Sequence, residues 1–289
     1  MLVGNLIPLV RCETATILKV SVNPSLREVS EMNENIRDGI LMLVHISDMH
    51  CGPKLEKSTL QRAIDEINTL SPDIVVVTGD LTEDGLTSEF QEAKRYLTQL
   101  KCEHIVVGSG NHDSRTTGYL LFPKFFGEPS SVTEVGDTVL IMLNSSRPDR
   151  EDGEIGYNQG LWLKGCLNQY KDKFKIVSLH HHLIPVPDTG MERNTVSDAG
   201  DLLRTLILND VNLVLCGHRH RPWMWEIGNL PIIYAGAIST KRLRGFYHNA
   251  YGIIQINNRK IKAKLKVVGN EEYDFDKIFV QTNDLTAEV

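Results

Sequence analysis

The sequence predicts an α/β protein in which layered sheets carry helices on their outer faces. Three observations lead there. From Leu41 onward short apolar runs alternate with amphipathic segments; beyond Gly217 the character changes to strands and turns; and polar motifs follow directly on apolar runs, where the loops of an open α/β sheet converge. A chain of 289 residues holds enough apolar material for one large domain. We expect residues 39–269 to form it, with 1–38 as an N-terminal extension and 270–289 as a C-terminal tail.

The first strand is LMLVHIS, residues 41–47, nearly unbroken in its apolar character as a strand covered on both faces must be. Leu60, Ala63, Ile64, Ile67 and Leu70 then recur at the spacing of one helix face. The unit repeats with DIVVVT (73–78), a helix on Phe90, Ala93, Leu97 and Leu100, and HIVV (104–107), bounded by Pro72 and Gly108. Three more strands are TVLIMLN (138–144), FKIVSL (174–179) and VNLVLC from Val211, the last two separated by a helix on Leu202, Leu203, Leu206 and Ile207. MWEI (224–227), PIIYAG (231–236), YGIIQI (251–256) and KIKAKLKVV (260–268) make the strand-rich end. Within the N-terminal extension only Ala15 to Val22 reads as a strand, and Asn270 to Val289 is polar enough to lie at the periphery.

Charge and cysteine usage exclude several classes. A net charge of −6 argues against a sequence-independent grip on nucleic acid, which needs a basic face to displace phosphate counterions. Five dispersed cysteines with no CxxC spacing indicate neither a disulfide framework nor a zinc knuckle, and fit a reducing cytoplasm. Met1 to Val10 lacks a basic leader and is interrupted by Gly4, Asn5 and Pro8, and no apolar run reaches the length of a bilayer span. We therefore expect a cytoplasmic protein without membrane attachment; a homodimer stays open.

Five short segments carry the chemistry: Asp48-Met49-His50, Gly79-Asp80, Gly110-Asn111-His112-Asp113, His180-His181-His182 and Gly217-His218-Arg219-His220. Singly, each has an ordinary reading as turn aspartates or surface histidines. Together they place hard oxygens and imidazoles just past strand ends, enough ligands for two metal ions, with Asp80 as a carboxylate able to bridge them. Two imidazoles on alternate residues, His218 and His220, point to one side of an extended segment.

In this order the motifs resemble the calcineurin-like metallophosphoesterase superfamily, whose pattern runs D-x-H, GD, GNH[D/E], H and GHxH. The contexts of Asp48-Met49-His50, His180-His181 and Gly217 to His220 look most like its class III cyclic nucleotide and glycerol phosphodiesterases. The resemblance implies a four-layer α/β/β/α sandwich, two mixed sheets flanked by helices. It implies that Asp48, His50, Asp80 and His220 hold one ion and Asp80, Asn111, His180 and His218 the other, drawn from Mn, Fe or Zn. His180 is chosen over His181 because it directly follows Leu179 at the strand end, although related proteins often have HHPP where this chain has HHHLIP.

From the resemblance we expect hydrolysis of phosphodiesters, of cyclic nucleotide or glycerophosphodiester type, by a hydroxide bridging the metals. Phosphomonoesterase or nuclease activity, or a non-catalytic scaffold, are the alternatives. His112 would assist the phosphoryl group or the leaving oxygen, with Asp113 fixing His112 or its loop. Arg115, His181 and Arg219 are candidate contacts to a small phosphate ester, which includes nucleotides, and Arg193 and Arg221 lie near the motifs as well. Trp223 and Trp225 read as core residues, and the charged, glycine-containing insert Ser145 to Asn158 as a lid over the cleft or a surface loop.

Overall fold

In the computed structural model the described residues are 39–190, 195–244, 246 and 248–275. The N-terminal extension, with its expected strand at Ala15 to Val22, and Arg193 lie outside them. In chain order the elements are β1 (Ile40–Ile46), α1 (Lys57–Leu70), β2 (Ile74–Val77), α2 (Thr87–Leu97), β3 (His104–Val107), α3 (Gly118–Phe126), β4 (Ser131–Val135), β5 (Thr138–Met142), α4 (Gly156–Gln169), β6 (Phe174–Ser178), α5 (Ala199–Leu208), β7 (Leu213–Cys216), β8 (Pro222–Ile227), β9 (Leu230–Ala235), β10 (Ala250–Asn257), β11 (Lys260–Val267) and β12 (Glu272–Asp274).

The strands form two six-stranded sheets, ordered β12-β11-β10-β1-β2-β3 and β4-β5-β6-β7-β9-β8. Each is mixed. β1, β2 and β3 run parallel while β10 joins β1 antiparallel; β5, β6, β7 and β9 run parallel, with antiparallel β4 and β8 at the edges.

Strand periodicity explains the layering. Successive side chains of a strand face opposite sides, so a strand between two apolar layers must be apolar at every position. In β1, Leu43 faces the second sheet whereas Val44 and Ile46 face the helices; in β2, Ile74 and Val76 point to the sheet interface, and Val75 and Val77 to the helices. The second sheet does the same, with Leu213 and Leu215 of β7 turned inward and Val214 and Cys216 turned to its own helices. Three apolar interiors result: α1, α2 and α3 against the first sheet, sheet against sheet, and α4 and α5 against the second sheet. This is the four-layer α/β/β/α sandwich. On the α2–α3 side, Phe90 stacks on Phe125 at 5.5 Å between ring centroids, fixing one helix against the other.

Some elements differ from expectation. α3 carries Pro123 and few polar residues, and α4 is only weakly amphipathic, so neither shows the helical stripe that marks α1 and α2. The stretch assigned to the tail from Asn270 contributes β12, which pairs with β11, and Phe275 is buried behind it. Among the described residues no helix is long and apolar enough to cross a membrane, and Cys51, Cys102 and Cys216 are free thiols.

Candidate metal centre

Five loops bring the motif residues to one edge of the sandwich: those after β1, β2 and β3 of the first sheet and after β6 and β7 of the second. Backbone bonds lock them together. Asp48 N–H donates to Gly79 O at 3.0 Å, His50 N–H to Asp80 O at 3.0 Å, and Gly217 N–H to His180 O at 2.9 Å. Gly217 lies where a Cβ would stand 1.9 Å from Ser47 Oγ and 2.9 Å from Asp48 Oδ2, so only glycine lets the two sheets' loops approach this closely.

Asp48, His50, Asp80, His218 and His220 all have φ between 49° and 79°, a left-handed backbone that Asp and His tolerate better than most residues. Such conformations cost free energy and persist where surrounding structure enforces them, as at functional sites. Here the enforced turns aim buried polar side chains at common points.

Two groups form. Asp48, His50, Asp80 and His220 make the first: His220 Nε2 lies 3.2 Å from Asp48 Oδ1, His50 Nε2 is 3.6 Å from Asp80 Oδ2, and the two imidazole Nε2 atoms are 2.9 Å apart. Asp80, His180 and His218 make the second: His180 Nε2 is 3.3 Å from Asp80 Oδ2, and Asn111 Oδ1 lies 3.1 Å from His180 Nε2 and 2.9 Å from His218 Nδ1. Asp80 belongs to both groups.

The outward nitrogens reveal what the inward atoms are. His180 Nδ1–H donates to Thr78 O at 2.7 Å and His220 Nδ1–H to Arg242 O, while His50 Nδ1 is 3.0 Å from the Glu83 carboxylate. Each partner is an acceptor, so each Nδ1 carries a hydrogen and each Nε2 faces inward. Nε2 atoms of three imidazoles, two carboxylates and an amide oxygen therefore converge in a buried space, an arrangement that a cation would satisfy. Protons serve in part. Burial would push the histidines down, but Asp48, Glu83 and Asp80 bring His50 up to about 9, and Asp80 brings His180 up to about 9. Burial likewise opposes ionisation of Asp48 and Asp80, yet the surrounding histidines hold both carboxyls well below the usual range. Burial and the neighbouring His181 and His180 drive His218 far down, so it stays neutral, and its buried Nε2 has no hydrogen-bond partner among the described residues. The mixed nitrogen and oxygen donor set fits a pair of transition-metal ions.

His112 lies beside these groups. Its Nδ1–H donates to Glu83 O at 2.6 Å, its ring meets the His50 ring edge-on at 4.6 Å, and its Nε2 faces an Arg242 guanidinium nitrogen at 3.4 Å. Burial pushes its pKa down against the pull of Asp80. Of the two expected roles for Asp113, fixing His112 or fixing its loop, its contacts are those of the second. Its carboxylate accepts from Gly110 N–H (2.9 Å), Leu81 N–H (3.2 Å), Thr82 N–H (2.9 Å) and Thr82 Oγ1 (2.8 Å), pinning the β3 loop to the β2 loop.

The three candidate substrate contacts are occupied by protein groups. His181 is fully buried, with Nδ1 2.8 Å from Ser145 Oγ and Nε2 3.2 Å from Glu151 O. The Arg219 guanidinium, between two inward histidines, turns the other way onto the Thr189 carbonyl and hydroxyl, and Arg221 likewise reaches Asp188 at 3.1 Å. Arg115 sits at the rim, donating to Glu83 O at 2.9 Å and to Glu151 at 2.7 Å. Trp223 is buried in the core of the second sheet, and Trp225 packs at its margin.

Three residues of the site carry no motif. Glu83 supports His50 and His112; Arg242, beyond β9, supports His220 with its carbonyl; and Glu151, in the insert, accepts from Asn111 Nδ2 at 3.0 Å and so turns Asn111 Oδ1 toward the histidines. The insert is thereby fastened over the second group. Only the position of Glu83, three residues past Asp80, offered a sequence signal.

Comparison with known proteins finds relatives in both sequence and fold. A probable cyclic nucleotide phosphodiesterase of Rhodococcus erythropolis is 29% identical over 216 residues, covering 68% of this chain and 70% of the relative. A glycerophosphodiester phosphodiesterase of Enterobacter lignolyticus is 29% identical over 205 residues, covering 64% and 73%. A probable cyclic nucleotide phosphodiesterase of a Synechococcus strain is 31% identical over 157 residues, 53% of this chain and 60% of that protein, so this chain spans less than two thirds of that relative's length. In fold, a purple acid phosphatase from yellow lupin matches with TM-score 0.67 at 14% identity over 82% of this chain and 53% of its own. A dimetal phosphatase of Danio rerio matches with TM-score 0.58 at 13% identity over 82% and 99%. The family model for calcineurin-like phosphoesterases matches residues 41–222, which carry all five motifs, and the chain belongs to that family.

Proposed function

We propose that this protein is a dinuclear metal-dependent phosphodiesterase acting on small phosphate esters of the cyclic nucleotide or glycerophosphodiester type. The observation that carries the reading is the sharing of Asp80 between two buried ligand groups, with His112 just outside both. Asp48, His50, Asp80 and His220 would hold one ion, and Asp80, Asn111, His180 and His218 the other. Names of the relatives support the diester class.

A phosphodiester resists hydrolysis because its negative oxygens repel nucleophiles. Bound here, manganese, iron or zinc ions would neutralise those oxygens and acidify a water to serve as the nucleophile. The chain's own groups do the rest. Glu83 O fixes the His112 tautomer so that Nε2 faces the Arg242 guanidinium, and in this reading the two meet the ester oxygens and the departing alkoxide. Asp113 acts through the loop, by holding the backbone that presents Asn111 and His112. Thr189 and Asp188 hold Arg219 and Arg221, which we assign to the loop after β6 and not to substrate.

Residues 39–275 form the working unit in this reading, and the free thiols support a reducing compartment, the cytoplasm. The test is turnover by the metal-reconstituted protein on a bis-ester, a mono-ester, 3′,5′-cyclic nucleotides and single-stranded DNA, with His112→Ala in parallel. Preference for a diester or cyclic nucleotide supports the proposal; sole activity on the mono-ester or DNA, or none on any, refutes it.

A further inference from the structure

Glu83 meets the site through two different groups of one residue. Its side chain is almost fully buried, with Oε2 3.0 Å from His50 Nδ1 and Oε1 2.5 Å from Lys54 Nζ. Its backbone carbonyl accepts from His112 Nδ1 at 2.6 Å and from Arg115 Nη1 at 2.9 Å. The residue itself has little freedom. Its N–H donates to Cys51 O at 3.1 Å, and a Cβ on Gly52 would stand 3.2 Å from its own Cβ. A buried carboxylate against a ligand imidazole costs desolvation, and its return is a fixed ring orientation and tautomer.

We propose that Glu83 is a positioning residue that sets His50 and His112 together, its carboxylate orienting the metal-ligand ring and its carbonyl the outer ring, so that metal occupancy and the alignment of His112 share one support. The proposal rests on the dimetal reading above. His50, Glu83 and His112 also lie close enough to hold a cation themselves. Against that use, the Lys54 ammonium already sits on the carboxylate and His112 Nδ1 is committed to the carbonyl.

The experiment compares the full-length wild type with Glu83→Ala, Glu83→Gln and Lys54→Ala. Each is stripped of metal, titrated with Mn²⁺ by calorimetry, and followed by ¹⁵N–¹H spectra of the histidine rings in the metal-free state. Glu83→Ala should weaken one of two Mn²⁺ sites by about 10- to 100-fold and leave the other. Glu83→Gln, which keeps an oxygen able to face His50 Nδ1, should recover most of that affinity, and Lys54→Ala should retain it. The slowly exchanging Nδ1–H signal of His50 should persist in the wild type and Glu83→Gln and vanish in Glu83→Ala. Unchanged affinity at both sites in Glu83→Ala, a Gln variant as impaired as Ala, or a third Mn²⁺ lost with Glu83 would overturn the proposal. A wild type that binds no Mn²⁺ refutes the dimetal reading instead, and the metal-free ring spectra then decide the Glu83 contact alone.

Discussion

Asp80 and His112 are joined directly: Asp80 Oδ1 accepts the His112 backbone N–H at 2.9 Å, while Asp80 Oδ2 lies between His50 Nε2 at 3.6 Å and His180 Nε2 at 3.3 Å. The carboxylate common to both ligand groups thus also holds the loop that presents the outer histidine. Removing it separates the metal groups from each other and from His112 at once.

Asp80→Asn should therefore lose metal before anything else. We expect affinity for Mn²⁺ to fall at both sites by at least about 100-fold, beyond the range for supporting residues. Metal content per chain after dialysis checks this, and an Asp80→Asn protein that keeps two ions and full turnover contradicts the bridging role.

His112→Ala should do the reverse. The His112 ring contributes no atom to the two groups that share Asp80, so metal content should stay at the wild-type value. Turnover should fall by roughly 10²- to 10⁴-fold, the range for a lost general acid or base. Equal losses of metal and activity would place His112 among the ligands.

Asp113→Ala tests a structural role. Its carboxylate receives four hydrogen bonds, three from buried backbone N–H groups, which truncation leaves without acceptors. We expect a loss on the order of 3 kcal/mol in unfolding free energy. Denaturant melts measure it, and a loss confined to turnover would return Asp113 to direct chemistry.

His45, inside β1, supplies a pH dependence of its own. Burial holds its pKa down at about 3, against a small upward pull from Asp48, while Nε2 pairs with Thr78 Oγ1 at 2.9 Å. The unfolded chain protonates first, near 6.5. The contribution of a neutral His45 is thus complete above that pH and is lost as pH falls toward 3, with a slope of about 1.4 kcal/mol per pH unit. His45→Gln, which keeps a donor near Thr78, should flatten the melting-temperature profile below pH 6.5. Parallel profiles for variant and wild type would exclude His45 as the cause.

Much of this was legible in the residues, for physical reasons. Parallel strands covered on both faces announce themselves as IVVV or LVLC, and α1 shows its buried stripe through Leu60, Ala63, Ile64 and Ile67. Metal-ligand types are few, so Asp, His and Asn beside strand ends stand out. What stayed hidden acts without a distinctive side chain. Thr78, Glu83 and Arg242 orient histidines through carbonyls, which every residue has, and Glu151 reaches Asn111 from 40 positions away. Arg219 shows the converse limit: the sequence suggested an extended segment with His218 and His220 on one side, but residues 218 and 220 adopt left-handed turns, and the Arg219 guanidinium between them is held by Thr189.

The central claim is that two cations share Asp80, and anomalous diffraction from crystals grown with Mn²⁺ tests it most directly. The account predicts two peaks roughly 3.5 to 4 Å apart, one enclosed by Asp48, His50, Asp80 and His220 and the other by Asp80, Asn111, His180 and His218. A single peak, or two peaks that do not share the Asp80 carboxylate, would contradict it.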